Sequence, residues 1–181
     1  MKATGVVRKL DNLGRIVIPK EIRKTLRIRD GEPLEIFTGR DGEVILKKYS
    51  PVEELGEYAK QYAEALYQTI GNSVLITDTD NVIAASGTGR KEAMGKGITT
   101  GLSKILETRQ QVLIIKNEKG YVEPYQEMTL EIEGSLITPI IHDGDVVGSI
   151  LILQKEGKCK LGELEQKLAL VGAHYLNNQM Q

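Results

Sequence analysis

Arginine and lysine crowd the start of the chain at Arg8, Lys9, Arg15, Lys20, Arg23, Lys24, Arg27 and Arg29, with Asp11, Glu21 and Asp30 the carboxylates of the same stretch. A guanidinium presents a planar fork that matches phosphate oxygens and the guanine edge, while lysine is a compact charge that seeks phosphate. The balance changes along the chain: residues 1–50 hold 12 Lys+Arg against 7 Asp+Glu, and residues 51–181 hold 12 against 18. A net of +5 beside −6 implies that one part meets a polyanion and the other does not. A solvated helix face laced with i,i+4 ion pairs uses the same residue types, so the elements that carry these cations have to decide.

Other chemistry is thinly supplied. His142 and His174 have no nucleophile or metal-ligand companion nearby in sequence, and are expected as an exposed turn residue and a helix-face residue. Cys159, between Lys158 and Lys160, is the lone cysteine, so no intrachain disulfide and no cysteine metal cluster can form; a free surface thiol is expected. Gly87-Thr88-Gly89 lacks the third glycine of a dinucleotide turn. The run from Gly89 to Gly95-Lys96 is one residue too long for a Walker loop, with Gly97 where Ser or Thr would bind magnesium. No enzyme, metal site or cofactor is expected. Because no apolar run approaches the roughly 18 to 20 residues that span a bilayer, and the N-terminus lacks a signal peptide's apolar stretch, the expected location is the cytoplasm.

The cations sit on short elements. Thr4–Leu10 and Arg15–Ile18 read as strands around the turn residues Asp11-Asn12-Leu13-Gly14, a hairpin that would bring Arg8, Lys9 and Arg15 together. Pro19 opens a helix through Leu26 that carries Arg23 and Lys24, and Arg29-Asp30-Gly31 stops it. Leu34–Phe37 and Glu43–Lys47 flank Gly39-Arg40-Asp41-Gly42 as a second hairpin. A unit of about fifty residues buries too little apolar surface to be stable alone. Interdigitating hairpins from a partner chain would enlarge its core and cover its strand edges.

Ser50-Pro51 divides a domain at residues 1–50 from one at 51–181. A linking helix over about 52–70 carries the stripe Val52, Leu55, Ala59, Tyr62, Leu66 and Thr69, and ends at Gly71. The last segment, Leu161–Met180, repeats the device with Leu161, Leu164, Leu168, Val171 and Tyr175, so the two seams suggest a helix bundle. Between them lie strands at 73–77 and 82–85, a helix at 98–108 and a strand at 111–116. A further hairpin, 135–141 with 146–153, turns at Asp143-Gly144. The second domain is therefore α+β, an antiparallel sheet framed by helices. Gly87, Gly89, Gly95, Gly97 and Gly101 mark a lid or, more commonly in such stretches, a mobile connecting loop.

The run Thr4-Gly-Val-Val-Arg-Lys-Leu-Asp-Asn-Leu-Gly-Arg-Ile-Val-Ile-Pro-Lys-Glu-Ile-Arg-Lys-Thr-Leu-Arg-Ile, with Leu34-Glu-Ile-Phe and Val44-Ile-Leu-Lys-Lys-Tyr, resembles the AbrB-type swapped-hairpin domain. The resemblance implies a dimeric β-barrel of interleaved hairpins in which Arg8, Arg15 and Arg23, beside Lys9, contact double-stranded DNA. Lys24 stands where the family has arginine, which favours a phosphate contact there over a bidentate base contact. The second domain's order of elements resembles a GAF domain, a fold that elsewhere holds small effectors; the sequence names none. A swapped-hairpin head on a GAF-like body resembles regulators of late gene expression in the forespore, activators or repressors. That arrangement implies homotetramers, with paired heads on DNA and GAF-domain helices joining protomers. Two other classes share parts of this pattern: an antitoxin, whose tail would be charge-rich and disordered, and an assembly module that binds no DNA. The periodic apolar pattern of residues 52–181 argues against the first, and salt dependence separates the second.

Overall fold

A computed structural model describes residues 5–40, 42–49, 56–116, 118–157 and 160–180. Thr4, Asp41, Ser50, Pro51, Val52, Leu55, Lys158 and Cys159, on which parts of the sequence reading fall, lie outside the described residues. The chain divides into two compact units, Met1–Tyr49 and Ser50–Gln181.

In the first unit, Pro19 caps helix α1, Lys20–Thr25, because its fixed φ of −59° suits the helix entry. The helix ends where Arg27 turns to a φ of 53°. Strands β1, Leu34–Thr38, and β2, Val44–Lys48, pair antiparallel with Ile36 opposite Leu46 and Phe37 opposite Ile45. The first expected hairpin forms only as its turn: the Asp11 N–H donates to the Arg15 carbonyl at 3.0 Å, and the Gly14 N–H to the Asp11 carbonyl at 3.1 Å. No strand forms at 5–10 or 15–18 in the single chain. A β-branched run becomes a strand only against another strand, and β1 and β2 use each other. No described residue of this unit is buried; Val7 is 86% exposed, Val17 72% and Ile36 67%.

The second unit is a five-stranded antiparallel sheet in the order β4-β3-β7-β6-β5. Its strands are β3, Ser73–Thr77; β4, Val82–Ser86; β5, Val112–Ile115; β6, Gly134–His142; and β7, Asp145–Gln154. Helices α2, Gly56–Ile70, and α5, Glu163–Gln179, cover one face. The short helices α3, Arg90–Ala93, and α4, Thr100–Leu106, lie with the other. Both faces are buried, so successive residues of β7 alternate between two cores: Ile150 and Ile152 meet Ala59, Ala63, Leu136 and Leu176, whereas Leu151 and Leu153 meet Leu75, Ile98, Leu102 and Tyr125. The β6–β7 hairpin turns at Asp143 and Gly144, both at positive φ (49° and 85°).

Within the single chain most of the expected seam of the final helix is uncovered. Leu161 is buried at its entrance and Leu168 is half-buried, but Leu164 and Val171 are each 61% exposed and Tyr175 is exposed too. The sheet side belongs instead to Glu165, Ala169, Gly172, Ala173 and Leu176. Small residues win that side because they let the helix backbone approach a sheet already filled by Leu136, Ile140 and Ile152. Glu165 is tolerated there because its carboxylate accepts the Gly162 N–H at 2.8 Å. In α2 the inward residues Ala59 and Leu66 are as expected and Ala63 joins them, while Thr69 is exposed and donates to the Ala65 carbonyl.

The two helices meet through Tyr62, whose ring stacks 6.1 Å from that of Tyr175 and whose hydroxyl donates to the Leu168 carbonyl at 2.6 Å. A Cβ at Gly172 would overlap that ring. Gly172→Ala gains about 1 kcal/mol of helix propensity but displaces Tyr62, an overpacking cost of about 1–3 kcal/mol. The expected outcome is a lower urea midpoint, with Gly172→Val lower still.

Candidate nucleic-acid interface

Asp11 organises the turn that carries Arg15. Its Oδ1 accepts the Leu13 and Arg15 backbone N–H groups at 2.9 and 2.8 Å, and its Oδ2 accepts the Arg15 Nε–H at 2.7 Å. Gly14, at a φ of 75°, closes the loop where a side chain would be strained. The Arg15 backbone bond, then its guanidinium, hold the Asp11 carboxyl below the usual carboxylate range. The Arg15 side chain is nonetheless 71% exposed.

The remaining cations are presented by simpler means. Arg8 is exposed, its guanidinium 3.5 Å from the Val7 carbonyl, and Lys9 is exposed beside it. On α1, Arg23 is ion-paired with the exposed Asp30, and Lys24 is exposed in the last turn. Lys48 ties the connection after α1 to β2 through the Arg27 carbonyl at 2.8 Å and Glu32 at 3.3 Å, and the Arg29 N–H reaches Glu32 at 2.7 Å. The structure thus joins Arg15 to Asp11 and Arg23 to Asp30, and, among the described residues, no hydrogen bond or ion pair joins Arg8, Lys9 or Lys24 to either pair. Both carboxylate partners escaped the sequence reading. For Asp11 a signal existed, since an Asp opening a turn accepts the N–H two residues on.

In the second unit the glycine-rich segment is tied by backbone hydrogen bonds. The Gly95 N–H donates to the Val82 carbonyl and the Val82 N–H to the Lys96 carbonyl, both at 2.9 Å, so the segment runs along β4. Thr99 caps α4 by accepting the Leu102 N–H at 3.2 Å. Glu92 of α3 clasps the segment before β6, accepting the Thr129 N–H and hydroxyl at 2.8 Å each and the Tyr125 hydroxyl at 3.3 Å. The Thr129 bonds hold the Glu92 carboxyl low, while burial and then the Glu92 charge push the Tyr125 hydroxyl up to about 12. The clasp therefore contributes stability above the ordinary carboxylate pKa and is lost as pH falls through the lowered one.

Two of the open grooves among the described residues are lined by charged side chains of both signs. One, about 870 Å³, runs between α2 and β4 past Lys60, Glu64, Ser86 and Arg90, where Ser86 donates to Glu64 at 2.6 Å. The other, about 920 Å³, is lined by Lys116, Glu131, Glu133, Gln154 and Lys160. His142 corrects the expectation of an exposed turn residue: its ring is mostly buried and its Nδ1 lies 2.8 Å from Asn177 Oδ1 in the last turn of α5, whereas His174 is exposed on the helix. Among the described residues no three His, Cys, Asp or Glu side chains converge on a metal position, and no helix is long and apolar enough to cross a membrane.

Residues 54–181 match the family described as stage V sporulation protein T C-terminal, transcription factor, and residues 7–54 match the family described as antidote-toxin recognition MazE, bacterial antitoxin. The chain is 47% identical over 181 residues to stage V sporulation protein T of Bacillus subtilis (strain 168), covering 100% of this chain and 99% of that protein. Over 51 residues it is 57% identical to the transition state regulatory protein AbrB of the same organism, covering 28% of this chain and 52% of that one. The GAF domain of a phosphoenolpyruvate-protein phosphotransferase from Coxiella burnetii shares the fold, with a TM-score of 0.59 at 18% identity, covering 70% of this chain and 82% of that one.

Proposed function

The chain belongs to the stage V sporulation protein T family of transcription regulators, and we propose that its first unit grips double-stranded DNA as an interleaved dimer, through Arg8, Lys9, Arg15, Arg23 and Lys24. The observation that carries the DNA contact is the Asp11–Arg15 turn, which holds an exposed guanidinium in a defined place on a unit with no buried residue among those described. Interleaving supplies strand partners for residues 5–10 and 15–18 and doubles the set of cations about a two-fold axis. Neither carboxylate is an obstacle: the exposed pair of Arg23 with Asp30 exchanges readily for phosphate, and Asp11 takes only the Nε–H of Arg15, which leaves the Nη groups for DNA. The cell compartment that follows is the forespore cytoplasm, and regulation in either sense is compatible with this chemistry.

The second unit supports assembly. Leu164, Val171 and Tyr175 form an exposed apolar stripe on α5, and a matching face from another protomer would cover it and join two DNA-binding dimers into a tetramer. An effector acting on this unit would work by favouring one arrangement of the heads. The antitoxin reading is weakened by the second unit's two packed cores, because a toxin-wrapping tail is disordered alone. The role has no catalytic step.

The test is DNA affinity against salt. Binding through phosphates gives a linear fall of log K with log salt, about 0.9 per contact. Arg8→Ala, Arg15→Ala and Arg23→Ala are each expected to weaken binding without unfolding the chain, and each phosphate contact removed flattens the slope by about two units in a symmetric dimer. Unchanged affinity and slope in all of them would place the DNA elsewhere.

A further inference from the structure

Building on the reading that Arg15 touches DNA, we propose that Asp11 is a positioning residue that sets DNA specificity: it holds the Arg15 guanidinium by its Nε edge, so that the Nη fork meets DNA in one orientation. One carboxylate performs two tasks. Through Oδ1 it fixes the turn by accepting the Leu13 and Arg15 backbone N–H groups, and through Oδ2 it takes the Nε–H at 2.7 Å. The Nη groups of Arg15 make no hydrogen bond within the described residues and stand on a side chain that is 71% exposed. The contact between Arg23 and Asp30 has no such backbone anchoring among the described residues, so of these two pairs the arrangement is particular to Arg15.

An arginine held in this way differs from a free one in what it recognises. A phosphate accepts charge from many directions, whereas a base edge read by two parallel N–H bonds demands a set plane and angle. Ordering a long side chain at the moment of binding weakens affinity, and ordering it beforehand removes that loss for the contact whose geometry fits. The carboxylate also sets a negative charge beside any approaching phosphate, which disfavours contacts made by charge alone. Both effects widen the ratio of specific to nonspecific affinity.

The experiment uses the full chain, a duplex selected from a random pool by the unaltered protein, and a scrambled duplex of equal length, at one salt concentration. Asp11→Asn keeps a carbonyl oxygen for the two backbone N–H groups and removes the charge that holds Nε; circular dichroism confirms the fold. The expected result is about tenfold weaker binding of the selected duplex, the scale of one side chain's ordering in each half of a dimer. Binding of the scrambled duplex should be unchanged or tighter. On an Arg15→Ala background, Asp11→Asn should have no further effect on the ratio. A proportional change in both duplexes means that Asp11 only screens charge or shapes the turn, and overturns the proposal. An undiminished effect of Asp11→Asn without Arg15 overturns it as well. Asp11→Ala, which loses the turn bonds also, should weaken both duplexes, and if it leaves both unaltered the proposal falls. Failure of the unaltered chain to enrich any duplex from the random pool overturns the functional reading together with this role, whereas normal binding with an unaltered ratio in Asp11→Asn overturns this role alone.

Discussion

Replacing Ile36 with Asp is expected to unfold the first unit of the full chain while leaving the second intact. Ile36 lies opposite Leu46 on β1 and β2, and both side chains are exposed in the single chain, as is Val44 on the neighbouring pair. If that face stayed in water, a polar substitution would change stability by no more than about 0.5 kcal/mol. If it forms the core between two interleaved chains, the same change buries an unpaired carboxylate in each, at about 3–5 kcal/mol apiece, against a total stability of roughly 5–15 kcal/mol. The two cases differ by an order of magnitude. Thermal melts followed by near- and far-ultraviolet circular dichroism, across a hundredfold range of protein concentration, decide between them. The unaltered first unit should melt higher as concentration rises, because association stabilises only the folded form. An Ile36→Asp chain with the parent's first transition would show that this face is not covered.

Charging the exposed stripe of the last helix should break the assembly into dimers. Leu164→Glu with Val171→Glu is the suitable pair, since both side chains are largely exposed and their replacement leaves the unit's own packing alone. Leu66→Glu is not suitable, because Leu66 is buried against the sheet and the variant would misfold for other reasons. When two DNA-binding dimers are joined, the second contact becomes intramolecular, and avidity exceeds single-dimer affinity by roughly 10² to 10⁴ where spacing fits. The variant should therefore bind a one-site duplex like the parent and lose that factor on a two-site duplex. Light scattering gives the mass in the same samples. An intact tetramer, or equal losses on both duplexes, would place the assembly surface elsewhere.

The strands and turns of the second unit were legible because their signals are local. Asp143-Gly144 between two β-branched runs can hardly be anything but a tight hairpin, and Gly71 ends α2 as a positive-φ residue should. The short helix α3 was hidden, since four residues between glycines carry no period to read. In α5 the residues that pack within the chain are not the large apolar ones. Counting large apolar residues finds Leu164, Val171 and Tyr175, but close approach to a sheet is made by Ala169, Gly172 and Ala173, which weigh little on any hydrophobic scale. At the candidate interface the cations were plain and their carboxylate partners were not, because Asp11 and Asp30 have the composition of ordinary turn residues. The first hairpin was read from its β-branched pattern, and that pattern is satisfied only when another strand is present.

The absence of any buried residue among those described in the first unit also bears on how the amount of this protein would be read by a cell. A head whose core exists only between two chains is made at a rate that depends on the square of the concentration of chains, so halving synthesis lowers the supply of competent heads more than twofold. Chains that have not met a partner expose extended apolar segments around Val7 and Val17, the kind of backbone that proteases cut first. With the heads paired as proposed, dilute chains would be removed and abundant ones protected, which would turn a gradual rise in expression into a threshold.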